Sequence, residues 1–344
     1  MLPEEPESLP GWLPIDAVVR DGRPGLLWLD MHEVHFTEPF FQQTVTRVQQ
    51  EHSARQEKFT EFAAVLQLEK ISTRVPPTGF IFHSSRCGST MVANVCRALN
   101  DSIVISEANA IDKLAGRFTT DTKGEPTREL LYSVLLRGVV NAFAQKHFGN
   151  ERRFFVKFSC CSVVQLAHIR RIWPDVPVLF LYREPTETIV SNLANVPEWM
   201  TDPDRRLLLA MLNCSAEELA SLSAEELCAR SISTFYDYAG NLAQGRMMLL
   251  NYQQLSLPVL LSVIKFFGVT PAGAELDTIE RVSRRYSKDA TSERVFVADA
   301  ERKQLQASEL VRLMSERWAG ESYRRLEELR SRTAVSGSAA AGTF

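Results

Sequence analysis

The residues best equipped for chemistry sit in one short run, Ser84-Ser85-Arg86-Cys87-Gly88-Ser89-Thr90, directly ahead of a helical pattern at Met91–Leu99. Small hydroxyl residues, a glycine and a fixed positive charge at a helix start are the ingredients of an anion cradle. Backbone N–H groups there point at a negative ligand, and Gly88 lets the chain approach it closely. Ser85, Ser89 and Thr90 add hydroxyl donors, Arg86 adds charge, and Cys87 contributes its backbone N–H. An ATP-type loop reads G-x-x-x-x-G-K-[ST]. Aligned on Gly88, its lysine position holds Ser89 and its leading glycine position holds His83, so phosphoryl transfer from a triphosphate is disfavoured. Further along, Arg183 follows the apolar run Val178–Tyr182 and precedes Pro185, a residue suited to a helix's first turn, with Ser191 two turns later. Glu107 closes the run Ile103–Ser106, His83 closes Gly79–Phe82, and Lys157 stands alone among Phe154–Phe158.

These groups need a scaffold. Short apolar runs at Phe80–Phe82, Ser102–Ser106, Phe154–Phe158, Val178–Tyr182 and Met247–Asn251 read as strands. Between them lie helical patterns at Met91–Leu99, Glu129–Phe148, Val163–Trp173, Thr186–Leu193, Ala216–Gln244 and Leu257–Phe267. The alternation predicts an α/β fold, a parallel sheet flanked by helices on both faces, over residues 77–332. In such a sheet ligands sit at the carboxyl ends of the strands, where the loop at 84–90, Glu107 and Arg183 all fall. Residues 1–76 read as an N-terminal extension: a turn at Asp21–Gly25, a strand at Leu26–Leu29 and a helix from about Glu38 to Leu68. The extension is expected to help shape an acceptor site, together with Phe118–Thr127 and Asn195–Asp204. Residues 333–344 are small and polar and read as a disordered tail.

Composition narrows the function classes. The chain has 344 residues, 45% of them hydrophobic, and 39 Lys+Arg against 42 Asp+Glu give a net charge of −3. That balance gives no electrostatic reason to expect nucleic acid or an anionic membrane as partner. The start, MLPEEPESLPGW, lacks the basic and apolar regions of a signal peptide, and no apolar stretch reaches the roughly 20 residues of a membrane helix. Six cysteines without a C-x-x-C pair fit reduced thiols in a cytoplasmic protein. The cluster Asp30-x-His32-Glu33-x-His35 has ligand-type residues but not H-E-x-x-H spacing, so no metal is expected.

The order [KR]-x-G-[ST]-T after a first strand, here Arg86-Cys87-Gly88-Ser89-Thr90, resembles the 5′-phosphosulfate loop of sulfotransferases that use 3′-phosphoadenosine 5′-phosphosulfate (PAPS). The segment Arg183-Glu184-Pro185…Ser191 is similar to the family's strand-Arg-[DN]-P…Ser element, with arginine and serine eight residues apart. Softer matches are Trp173-Pro174-Asp175 and Leu249-Leu-Asn-Tyr-Gln-Gln-Leu255 with Pro258 and Phe266-Phe-Gly268. Gln253 stands there in place of the family's acid. The resemblance covers about 79–330. It implies a sulfuryl transferase with PAPS as donor and a small-molecule or glycan hydroxyl or amine as acceptor. Arg183 and Ser191 would grip the 3′-phosphate, and Arg86 would stand where the family's lysine meets the bridging oxygen. Arginine stabilises charge there but is a poor proton donor, which leaves His83 as a candidate acid. Glu107 is the candidate base. The family's C-terminal Arg-Lys-Gly triplet is absent; the nearest basic run ends at Lys288, a candidate donor contact, and Lys303 is another basic position. A P-loop small-molecule kinase and a catalytically silent nucleotide binder remain as alternatives.

Overall fold

The computed structural model describes residues 9–51, 55–65, 74–119, 126–284 and 299–340. Its first three strands, β1 (Trp12–Arg20), β2 (Arg23–Asp30) and β3 (Glu57–Glu61), pair antiparallel in sequence order. The other five are parallel: β4 (Pro77–His83), β5 (Ser102–Ser106), β6 (Arg153–Lys157), β7 (Val178–Tyr182) and β8 (Met247–Asn251), in the order β5-β6-β4-β7-β8. These strands are nearly all apolar because both faces of the sheet are covered. Their alternation divides the core. Phe80, Phe82, Phe154, Val156 and Phe180 pack with residues of the helices Pro126–Phe143 and Ala224–Asn241. Ile81, Phe155, Leu179, Leu181 and Leu250 pack on the opposite face with the helices Ser89–Arg97 and Leu257–Phe266. The chain is therefore an α/β protein with helices on both faces of a parallel sheet.

The N-terminal strands are fastened to this unit. Lys113 Nζ lies 2.9 Å from Asp16 Oδ2, and Gln145 donates to the Trp12 carbonyl at 3.1 Å while accepting from the Gly11 N–H at 3.2 Å.

Several expectations change. The helix expected over Glu38–Leu68 spans Phe41–Glu51, and Glu57–Glu61 is a strand followed by the short helix Phe62–Val65. Pairing with β2 outweighs the helical spacing of Phe59 and Phe62, and it brings Trp28 Nε1 to 2.7 Å from Thr60 Oγ1. The pattern at Ala216–Gln244 divides into Ala216–Ser221 and Ala224–Asn241, because Ser215 and Ser223 each accept an N-capping bond and so start separate helices. Two further short helices, Glu198–Thr201 and Arg206–Leu212, precede Ala216–Ser221. The last helix, Gly320–Ala340, runs into the segment read as a tail, of which 341–344 lie outside the described residues. All six cysteines are free. No described helix is long and apolar enough to cross a membrane.

Candidate active site

The loop after β4 leads into the helix Ser89–Arg97 through a sharply bent backbone. Ser85 (φ 69°), Arg86 (φ 49°) and Gly88 (φ 86°) are all left-handed. Glycine suits 88 because of its left-handed φ; a Cβ there would also press on the mobile end of Leu255, 2.4 Å from its Cδ1. Non-glycine residues in this region store strain, and such strain gathers where geometry must be held for function. The bend delivers the loop to the first turn of a nine-residue helix that starts at Ser89 and has no side-chain cap. Cys87 is fully buried, and its thiol donates to the Leu181 carbonyl at 3.3 Å. Its side chain anchors the loop to β7.

The two sequence motifs are bolted together. Ser85 Oγ and Arg86 Nε both donate to Asn192 Oδ1, at 3.0 and 3.2 Å, on the helix Pro185–Ala194. Arg86 Nη2 also reaches the Asn195 carbonyl. Arg183, at the end of β7, is only 2% exposed and donates through Nη1 to the Arg86 carbonyl at 3.4 Å. Its Nε bonds Glu187 Oε2 at 2.7 Å, its Nη2 bonds Asp299 Oδ1 at 2.6 Å, and its guanidinium lies 3.9 Å above the Tyr252 ring. Burial works against the Arg183 charge, but the Asp299 and Glu187 carboxylates more than restore it. The Ser191 hydroxyl, without a partner among the described residues, lines the same space.

Glu107 reaches this site by a route the sequence did not suggest. It was expected beside the loop through adjacency of the first two strands of the parallel sheet, but β6 lies between β4 and β5. Ser106 pairs with Lys157, the Glu107 N–H donates to the Lys157 carbonyl at 2.7 Å, and a left-handed turn (φ 53°) follows. That turn sets Glu107 Oε1 against both Lys157 Nζ and His83 Nε2, the latter at 3.2 Å. Ser85 N–H donates to His83 Nδ1 at 3.1 Å, so in the neutral ring the proton sits on Nε2 and points at the carboxylate. Burial alone would raise the Glu107 pKa; the Lys157 charge and the His83 bond hold it well below the usual carboxylate range. Both contacts use Oε1. Oε2 has no partner among the described residues, and the side chain is 27% exposed.

Two cavities meet at this carboxylate. The first, of about 380 Å³, is lined by the loop from Ser85 to Thr90, His83, Glu107, Arg183, Ser191, Tyr252, Asp299 and Lys303, with Phe40 from the N-terminal segment. The second, of about 240 Å³, shares Glu107, Cys160, Pro197, Glu198 and Trp199 with the first. It adds Asp112, Lys113, Asp202 and Asp204. Asp112 bonds Ser159 Oγ at 2.7 Å and Ser162 Oγ but no cation among the described residues, and burial with the nearby Glu107 and Glu198 charges pushes its pKa up to about 6.

No family model and no curated protein matches this chain. The solved structures it resembles are sulfotransferases. One from Alicyclobacillus acidocaldarius is 16% identical, with 75% of this chain and 96% of that chain covered at a TM-score of 0.36. One from Mycobacterium tuberculosis is 14% identical, with 74% and 79% covered at 0.40. A mouse enzyme complexed with PAP is 11% identical, with 81% and 96% covered at 0.37. At these values the likeness is in the general course of the chain, and the functional reading rests on the side chains of the site.

The structure thus brings Ser85–Thr90, His83, Glu107, Arg183 and Ser191 to one cavity, whereas Lys288 lies outside the described residues. Pro197, Glu198, Trp199, Asp202 and Asp204 line the second cavity and residues 1–76 supply none of its described lining, while 120–125 of the stretch Phe118–Thr127 lie outside the described residues. Asp112 and Asp299 were missed, because no motif marks a lone acid. Lys157 was seen only as the odd residue in an apolar strand, a signal that does locate a side chain aimed at a site. Among the described residues, no group of three or more His, Cys, Asp or Glu stands close enough to hold a metal ion.

Proposed function

We propose that this protein transfers a sulfuryl group from PAPS to a hydroxyl or amine of a small-molecule or glycan acceptor. One observation carries the reading: a single cavity has an anion cradle at 85–90 and a buried arginine at 183, and a carboxylate whose second oxygen has no partner among the described residues stands where it meets a second cavity. A nucleotide bearing phosphates at both its 5′ and 3′ positions suits two such grips, and the donor would supply an activated sulfuryl group on the 5′ side. The loop N–H groups, Ser89 and Thr90 hold the 5′ end, while Arg183 and Ser191 hold the 3′-phosphate. Glu107 Oε2 accepts the acceptor's proton as the new bond to sulfur forms and the bond from sulfur to the bridging oxygen breaks. His83 and Lys157 keep the carboxylate ionised and oriented, and Arg86 offsets the charge gathering on the bridging oxygen. The second cavity, with five carboxylates against one lysine, favours acceptors that are neutral or cationic over anionic ones.

Arg86 is expected to matter more for turnover than for nucleotide affinity, because the charge it meets builds mainly in the transition state. Arg86→Ala should lower kcat with the nucleotide Kd nearly constant, and Arg86→Lys should recover part of the loss. Wild-type kcat in the alanine variant would make the residue purely structural.

The direct test is incubation with sulfur-labelled PAPS and a panel of hydroxyl and amine acceptors. The expected result is label on an acceptor with one bisphosphate nucleotide released per transfer. Phosphoryl transfer from Mg-ATP to the same panel, without sulfuryl transfer, would replace this reading with a kinase.

A further inference from the structure

Three cationic side chains converge on Asp299. Arg183 Nη2 lies 2.6 Å from Oδ1, Lys303 Nζ lies 2.9 Å from Oδ2, and Arg302 Nη2 lies 3.7 Å from Oδ2. The Tyr252 hydroxyl donates to Oδ1 at 3.4 Å. Arg183 and Lys303 are themselves nine-tenths or more buried, and both line the first cavity. One carboxylate bridging two buried cations through its two oxygens occupies the position that two phosphate oxygens would take. Arg183 cannot offer its full fork to a ligand while Asp299 holds Nη2 and Glu187 holds Nε.

The two carboxylates differ in freedom. Glu187 is 2% exposed and fixed four residues from Arg183, whereas the Asp299 side chain is 21% exposed at the cavity wall. Asp299 also stands at the N-cap of the helix Ala300–Gln306, yet its side chain makes no capping bond. Aspartate at that position ordinarily accepts from the helix's first N–H groups. Here the Asp299 backbone (φ −121°, ψ 15°) lies outside the extended region in which Ser215, Ser223 and Ser308 cap their helices, and its carboxylate is given to the cavity's cations instead.

Resting on the reading of the site as a PAPS cavity, we propose that Asp299 is an internal stand-in for the donor's 3′-phosphate, which binds Arg183 and Lys303 only by displacing it. A phosphate dianion outcompetes the monoanionic carboxylate on two cations, while a nucleotide without that phosphate leaves Asp299 in place. Asp299 thereby lowers the affinity for the spent bisphosphate nucleotide and speeds its departure.

The test is calorimetric titration of wild type, Asp299→Ala and Asp299→Asn with 3′-phosphoadenosine 5′-phosphate and with AMP, alongside their thermal midpoints. The alanine variant is expected to bind the bisphosphate about tenfold more tightly, mainly through slower release, with AMP affinity unchanged. The asparagine variant, which keeps the shape without the charge, should fall between. Unchanged or weaker bisphosphate binding in a folded Asn variant, with wild type binding normally, overturns the stand-in role and leaves the donor reading intact. Failure of wild type and both variants to bind the bisphosphate overturns the donor reading and the stand-in with it.

Discussion

Glu107→Gln lowers kcat by about 10²–10⁴, the usual loss when general-base catalysis is removed, with nucleotide binding and folding close to normal. Glutamine keeps the shape and can still bond Lys157 and His83 through its carbonyl oxygen, but it cannot take the acceptor's proton. A carboxylate held low by Lys157 is a weak base, so orientation has to compensate. In a loose, charge-separated transfer the acceptor gives up its proton late, and a fixed, ionised oxygen is then worth more than a strong but wandering one. The pH profile carries the same prediction. With Glu107 lowered by Lys157 and His83, its protonation contributes no acid limb to kcat above the ordinary carboxylate range. Lys157→Met removes the lowering charge, so the Glu107 pKa rises and an acid limb should move up into the measurable range. Wild-type kcat in the Gln variant removes Glu107 from the base role, and an unmoved pH profile in the Met variant dissociates Lys157 from it.

Arg183→Ala is expected to weaken bisphosphate nucleotide binding by about 2–3 kcal/mol, roughly 30- to 150-fold, through loss of a charge-assisted grip. Affinity for AMP should barely change. The same substitution leaves Glu187 buried without its partner, a change that costs about 3–5 kcal/mol of stability when one member of a buried pair is removed. A lower thermal midpoint is therefore part of the prediction. Arg183→Lys keeps a charge for Glu187 but loses the fork, and should hold the fold while binding at an intermediate level. Equal losses for bisphosphate and AMP in the lysine variant would show that Arg183 supports the cavity without touching the 3′-phosphate.

The parallel sheet was legible because each of its strands is a short apolar run closed by a polar or charged residue, and those closing residues carry the chemistry. Ser102–Ser106, Val178–Tyr182 and Met247–Asn251 fall where the sequence placed them. Strand order was not legible. Nothing in the residues of β5 says that β6 intervenes before β4, and the meeting of Glu107 with His83 depends on a left-handed turn that an ordinary glutamate gave no reason to expect. β3 was hidden because Phe59 and Phe62 fit a helix as well as a strand until Trp28 and Thr60 meet across the sheet. The site's counter-charges were the least visible. Asp299, Lys303 and Lys157 lie 116, 120 and 26 residues from Arg183 along the chain, and only the fold makes them neighbours or near neighbours of one cavity.

The central claim, that one cavity grips a nucleotide by phosphates at both ends, is tested most directly by titrating the full chain with 3′-phosphoadenosine 5′-phosphate and, side by side, with AMP and ATP. The account predicts saturable one-to-one binding of the bisphosphate, clearly tighter than either comparison nucleotide and without added metal. Binding of ATP at least as tight as that of the bisphosphate would contradict it.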